Sequence, residues 1–305
     1  MARAKTRAIR KGERWVIKAG SNMVCSGGPI LMRAWMQQVA SLRRDHGIEV
    51  IWVTSGAIAS AVERTGFSKR NRELSDKQAL SAIGQPLVMD LYNLCLQTAG
   101  LLGAQVLLTS DDLASPVRRK NLQNTLRKLL EWQVTPILNE NDAVATEEIK
   151  FGDNDALSAR VAAAMGADRL VILTDVQGFY DDNPRTHPKA KLVPHLSRVT
   201  SADLDRAGKV GGSARGTGGM YSKLAAAHYA QSQGIATWLV QGDLPNVLLQ
   251  VARGESVGTS IGVERRGGSD TSRGSAHEAT RKVARKSAGA ATAKTSRKLK
   301  RGAAR

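Results

Sequence analysis

The stretch Glu49–Ala59, EVIWVTSGAIA, decides how the rest of the chain is read. Val50 to Val53 form an unbroken apolar run, bounded by His46-Gly47 before it and by Thr54-Ser55-Gly56 after it. A short apolar run with β-branched residues predicts a strand over Glu49–Thr54 that is covered on both faces. Ala57-Ile58-Ala59 then opens a helix. A buried strand that passes through a short polar, glycine-containing turn into a helix is the repeating unit of a parallel sheet.

The same alternation extends in both directions. Trp15–Lys18 predicts a strand running into Ala19-Gly20-Ser21, and Ile30–His46 has helical spacing. Leu74–Ala99 predicts one or two helices, Gln105–Thr109 a strand, Asn121–Trp132 an amphipathic helix and Val134–Leu138 a strand. Leu157–Met165 is an alanine-rich helix followed by the strand Leu170–Thr174, and Tyr221–Gln233 is a helix followed by the strand Ala236–Val240. The expected fold class is α/β, with a mainly parallel sheet covered on both faces. Parallel strands need right-handed crossovers, and open sheets of this kind take ligands outside the carboxyl ends of their strands.

Composition divides the chain into three zones. It has 305 residues, 42% of them hydrophobic, and a formal net charge of +18. That length suffices for one large α/β domain or two smaller ones. The charge is uneven. Residues 265–305 hold 13 Lys/Arg against Asp270 and Glu278, a net of +11, and residues 1–14 hold six against Glu13, a net of +5. Residues 15–264 carry the remaining +2, so the folded part is nearly neutral and the basicity sits in a leader (1–14) and a tail (265–305). The tail contains no aromatic residue and too little apolar surface to offset its ordering entropy, so it is expected to be disordered. Such a segment can hold nucleic acid non-specifically by counterion release, but it has no rings on which to stack bases; a solvated extension is the plainer alternative. No apolar run approaches the roughly 20 residues of a membrane span, and the basic N-terminus lacks the apolar core of a secretion signal. A cytoplasmic protein without membrane attachment is expected. Cys25 and Cys95 are isolated and form neither a disulfide framework nor a zinc spacing.

Several strand ends are unusually polar or rich in glycine. Lys18-Ala19-Gly20-Ser21 follows the first strand, Thr54-Ser55-Gly56-Ala57 the second, Asn139-Glu140-Asn141-Asp142 a later one, and Thr174-Asp175 ends another. Lys18 is placed to send its ammonium into a cleft, with Gly20 leaving the backbone open to a phosphate; the alternative is a lysine that snorkels to water. Ser55-Gly56-Ala57 at a helix start suits a carboxylate or other anion; the alternative is a simple helix cap. Gly152-Asp153-Asn154-Asp155 precedes the alanine-rich helix. Asp153 or Asn154 offers a cap there, but the cluster is denser than one cap requires. Gly211-Gly212 and Gly216–Lys223, GTGGMYSK, form a glycine-rich entry to a helix, able to present N–H groups to phosphates with Lys223 completing the charge. A Walker loop and a dinucleotide fingerprint are both absent.

Taken together, these segments resemble the amino acid kinase family over roughly Trp15–Ile261. The resemblance is carried by Val53–Ala59, by Pro136–Ala159 (PILNENDAVATEEIKFGDNDALSA), by Leu173-Thr174-Asp175 and by Gly216–Lys223, in the family's order and spacing. It implies a three-layer α/β/α sandwich of two lobes over residues 15–264, with the amino acid in the N-terminal lobe and ATP in the C-terminal lobe. It further implies transfer of the γ-phosphoryl group of ATP to the side-chain carboxylate of L-glutamate, Mg2+ accompanying ATP, assembly as a homo-oligomer and feedback inhibition by proline. By the same resemblance, Lys18 and Lys223 neutralise the transferring group and Asp155 holds both lysines. Ser55, Asp142 and Asn154 match positions that bind the amino acid, and Asp142 has the right charge for an α-ammonium. Thr174, Asp175, Thr217, Gly218, Gly219, Met220, Tyr221 and Ser222, with Lys18 and Lys223, match the nucleotide site. No direct protein ligand to the metal is expected, because ATP oxygens carry it. A carboxylate is already a nucleophile at neutral pH, so the reaction needs positioning and charge neutralisation rather than a general base.

Two positions depart from the family's pattern: Asn22 follows Ser21 where a hydroxyl is usual, and Tyr221 replaces a smaller residue before Ser222-Lys223. The form expected is one without the C-terminal PUA domain that many members carry. Three other readings compete at this level: another acid or phosphate kinase on the same fold, a nucleic-acid binder acting through the tail, and a regulator that has lost turnover. The stretch Asn139–Asp155 speaks against the first, and the retained Lys18, Asp155 and Lys223 against the last.

Overall fold

Side chains along a strand alternate between its two faces, and that period of two divides the core of this protein. The computed structural model describes residues 9–67, 72–145, 154–184, 186–210 and 219–262. Strand β1 (Arg14–Ala19) is followed by helix α1 (Ser21–His46), strand β2 (Glu49–Val53), helices α2 (Ala57–Thr65) and α3 (Leu74–Thr98) and strand β3 (Leu102–Leu108). Next come α4 (Ser110–Ala114), α5 (Pro116–Glu131), β4 (Val134–Glu140), α6 (Asn154–Met165) and β5 (Arg169–Thr174). The remainder adds β6 (His195–Leu196), α7 (Ser201–Val210), α8 (Met220–Ser232), β7 (Ala236–Gln241), α9 (Val247–Ala252) and β8 (Thr259–Ile261). The eight strands make one sheet in the order β3-β4-β2-β1-β5-β7-β8-β6. Every pairing is parallel except β7 with β8.

Trp15, Ile17, Trp52, Val171 and Leu173 point to one face of this sheet, where they pack with α1, α3 and α9. Val16, Ile51, Leu170 and Ile172 point to the other, against α5, α6 and α8. The result is the expected three-layer α/β/α sandwich with a mainly parallel sheet. From β1 the chain runs to β2 on one side, and after β4 it returns through α6 to β5 on the other side. The direction of winding therefore reverses at the carboxyl end of β1, the place where sheets of this kind take ligands. Among the described residues no helix is long and apolar enough to cross a membrane.

Several boundaries differ from expectation for local reasons. The helix expected from Ile30 begins at Ser21 and is kinked at Gly28, whose φ of 53° precedes Pro29; a residue before proline is pushed out of the α region, and glycine takes the left-handed alternative. Helix α5 begins at Pro116, not Asn121, because proline suits a first helical position and Ser115 accepts from the Arg118 amide. Leu74–Thr98 is a single helix despite Pro86. The short α4, α9, β6 and β8 are too brief to show a period, whereas α7 is amphipathic and was missed although its pattern is legible. The expectations placed on residues 1–8, Gly152-Asp153, Gly211-Gly212, Gly216–Gly218 and 265–305 lie outside the described residues.

Two contacts fix the layers. At the amino edge of the sheet, buried Arg169 lies 2.9 Å from Glu13 Oε2, with its guanidinium over the rings of Trp15 and Trp238 at 5.1 and 4.7 Å. At the opposite end, α3 crosses the start of α2 so closely that a Cβ on Gly84 would stand 1.7 Å from the Ala57 carbonyl oxygen. Gly84→Ala therefore forces backbone apart. It is expected to cost at least the ~1–3 kcal/mol of ordinary overpacking, read as a lowered midpoint in urea denaturation; an unchanged midpoint would contradict this packing.

Candidate active site

Lys18 follows Val16 on the same face of β1, so its side chain runs toward α6 and α8. It is 3% exposed, and its Nζ lies 2.5 Å from Oδ1 of Asp155. Asp155 is the second residue of α6 and is completely buried. Its Oδ2 receives Lys223 Nζ at 3.2 Å and the Ser222 hydroxyl at 2.9 Å, both from the first turn of α8. Burial alone would push the Asp155 carboxyl up. The Lys18 and Lys223 ammonium groups, with hydrogen bonds from Lys18 and Ser222, outweigh it and hold the carboxyl below the usual carboxylate range. Lys18 is thus buried in an ion pair and does not snorkel to water.

Two ammonium groups converge on one carboxylate, leaving this trio with a single net positive charge in a buried place. Buried charge is costly unless it is matched, so the arrangement is suited to an anion, or to negative charge that develops during a reaction. A Cβ on Gly20 would stand 3.7 Å from Lys18 Nζ and 3.9 Å from the Leu173 carbonyl oxygen. The absent side chain leaves that space beside the ammonium open.

A second group lies alongside. The turn after β2 places Ser55 before Gly56, whose φ of 100° makes it the residue that precedes α2. The simple cap considered for Ser55 is therefore replaced by a long-range bond: Ser55 Oγ accepts from Asn154 Nδ2 at 2.9 Å. The same Nδ2 lies 2.6 Å from the Thr54 carbonyl and 2.6 Å from Asn139 Oδ1. Asn154 is the first residue of α6, not a cap ahead of a helix at Leu157. Asn139, the last-but-one residue of β4, donates in turn to Gln85 Oε1 on α3 at 2.7 Å. Because Asn154 and Asp155 are adjacent, α6 joins the two groups rigidly. Asp142 follows in the turn after β4, at the same sheet edge.

On the other side of Lys18, Thr174 ends β5. Its side chain is on the α6/α8 face, 3.2 Å from Asp175 Oδ1, and its carbonyl accepts from the Gly242 amide at 2.9 Å. Gly219 is extended, with φ −76° and ψ −177°, and leads directly into α8; Met220 packs partly against the core. Tyr221 is 41% exposed, so its bulk is accommodated at the surface beside the trio. Thr217 and Gly218 lie outside the described residues.

The structure thus brings Lys18, Asp155, Ser222 and Lys223 into one cluster, and Ser55 and Asn154 into its neighbour. Asp142 follows the carboxyl end of β4, Thr174 and Asp175 stand at that of β5, and Gly219, Met220 and Tyr221 open α8. Asn139 belongs to the polar strand end noted in the sequence but has no site role assigned there; Gln85 and Tyr92 are not marked in the sequence at all. Asn139 had a visible signal, an amide closing an apolar strand. Gln85 and Tyr92 had none, since one polar group on a long mixed helix does not announce its partner.

This is a phosphotransferase-like arrangement at the switch point of a parallel sheet, and the chain belongs to the amino acid kinase family: the model of that family matches residues 13–241. Within the family the chain is similar to proteins named glutamate 5-kinase. It is 44% identical to the glutamate 5-kinase of Symbiobacterium thermophilum over 255 residues, covering 82% of this chain and 96% of that one. It is 42% identical to that of Hydrogenovibrio crunogenus over 256 residues, 83% of this chain and 68% of the relative. With that of Meiothermus ruber the identity is 45% over 256 residues, 83% of this chain and 67% of the relative.

Proposed function

We propose that this chain is an ATP-dependent kinase that phosphorylates the γ-carboxylate of L-glutamate, giving ADP and L-glutamyl 5-phosphate, the first step of proline biosynthesis. The buried Lys18–Asp155–Lys223 trio is the observation that carries it, because it answers the electrostatic problem of this reaction. A carboxylate oxygen attacks the γ-phosphorus of ATP, a new P–O bond forms, and the bond to the β,γ-bridging oxygen breaks with its electron pair leaving on ADP. Two anions must approach, and charge spreads over the equatorial oxygens of the transferring group. Lys18 and Lys223 meet that charge, and Asp155 fixes the distance between them. Ser55 and Asn154 receive glutamate, and Asp142 takes its α-ammonium. Thr174, Asp175 and the segment Thr217–Lys223 hold the nucleotide.

Kinase activity on ATP implies a divalent metal, here Mg2+. Among the described residues no three carboxylate, imidazole or thiol groups converge to hold an ion. The metal would arrive on phosphate oxygens and would add charge neutralisation there. The proposal keeps a glutamate-binding N-terminal half and an ATP-binding C-terminal half, cytoplasmic location, homo-oligomeric assembly and inhibition by proline.

The test is ATP consumption with Mg2+ and L-glutamate, aspartate, acetylglutamate or UMP, trapping acyl phosphate with hydroxylamine. Hydroxamate that depends on glutamate is expected, and preference for another acceptor would overturn the assignment. No proposed site residue lies in 265–305, so deleting that segment is expected to leave turnover within about twofold. Any non-specific nucleic-acid retention, which falls with salt, would be lost with the same deletion. Collapse of turnover would give the segment a part in the kinase itself.

A further inference from the structure

We infer that Tyr92 is a positioning residue for the amino-acid substrate: its phenol, brought in on α3, sets the Thr54–Ser55 turn that ends β2. The inference rests on the proposed glutamate site at Ser55 and Asn154. Tyr92 is completely buried on the α1/α3 face of the sheet. Its oxygen lies 2.8 Å from Trp52 Nε1 and 3.0 Å from Thr54 Oγ1, and Thr54 Oγ1 lies 3.2 Å from the Ser55 carbonyl. An indole N–H can only donate, so the phenol oxygen accepts from Trp52. Thr54 donating to the Ser55 carbonyl then leaves the phenol proton to close the chain at Thr54 Oγ1. Burial pushes the phenol's pKa well above its ordinary value, which keeps that proton in place at any working pH.

Three features make this chain more than core filling. Thr54 takes Tyr92 on its side chain and Asn154 on its carbonyl, so the phenol and the substrate asparagine hold one residue from opposite sides. Gly84, on the same helix, grips the far end of the turn through its contact with Ala57. Gln85 reaches Asn154 through Asn139. Helix α3 therefore fixes the height of Ser55 by three routes, while Lys18, Asp155 and Lys223 lie on the opposite face of the sheet. Loosening the turn should weaken the hold on glutamate and leave phosphoryl transfer alone.

The experiment is steady-state kinetics on Tyr92→Phe and Thr54→Val, with glutamate and ATP varied in turn. Each variant removes the Tyr92–Thr54 hydrogen bond from one end and keeps the local volume nearly unchanged; Tyr92→Phe also deprives Trp52 Nε1 of its acceptor, and Thr54→Val also loses the bond to the Ser55 carbonyl. Glutamate KM is expected to rise about three- to tenfold, the scale of one buried hydrogen bond, with kcat and ATP KM within about twofold. The double variant should cost less than the two single effects combined, because the Tyr92–Thr54 link is broken in both. Thr54→Ser, which keeps the hydroxyl, should retain the wild-type KM. Unchanged glutamate KM in both variants, even with a lowered melting temperature, overturns the inference, as does an equal change in ATP KM and kcat. Glutamate-dependent hydroxamate from the wild-type protein separates that failure from failure of the functional reading, since its absence sinks both.

Discussion

Lys18→Ala and Lys223→Ala are each expected to lower kcat by about 10²–10³, the scale of removing one preorganised donor from a developing charge, while glutamate KM moves by less than roughly tenfold. The two lysines approach Asp155 from different elements, Lys18 from the end of β1 and Lys223 from α8. Neither bonds to Ser55 or Asn154, the residues proposed to hold glutamate. In the proposed reaction their charge is met most strongly when the phosphoryl group is in flight between two oxygens, so removing either should act on the transition state more than on the ground state. Arginine at either position is not a conservative rescue, because a planar fork cannot replace a compact ammonium buried beside a carboxylate. Initial rates across a glutamate-by-ATP grid give the measurement. A pure rise in KM with normal kcat would remove these residues from the chemistry and make them binding groups only.

The reason Lys18 was legible in sequence and Tyr92 was not is physical. A lysine that closes a run of buried residues violates the pattern around it, and such violations mark function when several gather at one sheet edge. The carboxyl-end rule then directs attention to that edge of the sheet. The same logic draws attention to Ser55, to the Gly152–Asp155 cluster and to the glycine-rich entry to α8, while the parts given to Asn154 and Asp155 come from the family resemblance. The pairing of Lys18 with Lys223 through one carboxylate was implied only by family resemblance, because nothing in spacing sets the distance between β1 and two helices more than a hundred residues away. Helix starts were the weakest point. Gly27-Gly28-Pro29 reads as an interruption and concealed the first turns of α1, and Asn154 passed for a cap because its long-range partners Thr54 and Asn139 are invisible along the chain. Tyr92 conforms to its helix in every local respect. Its meaning lies in the Trp52 and Thr54 side chains across the layer.

Asp155→Asn should be the most destabilising of the site substitutions, at about 3–5 kcal/mol, the cost of removing one partner from a buried ion pair. The amide keeps the shape but leaves two buried ammonium groups facing a neutral group, and no side-chain rearrangement inside α6 can restore the charge. Linkage to pH makes the claim sharper. The folded carboxyl of Asp155 is held below its ordinary value of 3.8, so below that value the unfolded state binds more protons than the folded one. Stability from this group is then fully present above pH 3.8 and is lost as pH falls from there through the folded value. Glu13 is likewise held below its ordinary 4.5; burial pushes it up, and Arg169, the Trp15 indole and the Arg10 amide outweigh that. Glu13 therefore begins the acid loss at a slightly higher pH, but it is present in both proteins and cancels from their difference. Urea denaturation of wild type and Asp155→Asn is thus expected to show a gap that is constant from neutral pH to about pH 4 and narrows below 3.8. A gap that stays constant through that window, or an asparagine variant as stable as wild type at neutral pH, would mean that the two lysines are neutralised by something other than Asp155. The electrostatic basis for the proposed transfer would then have to be sought elsewhere at this edge of the sheet.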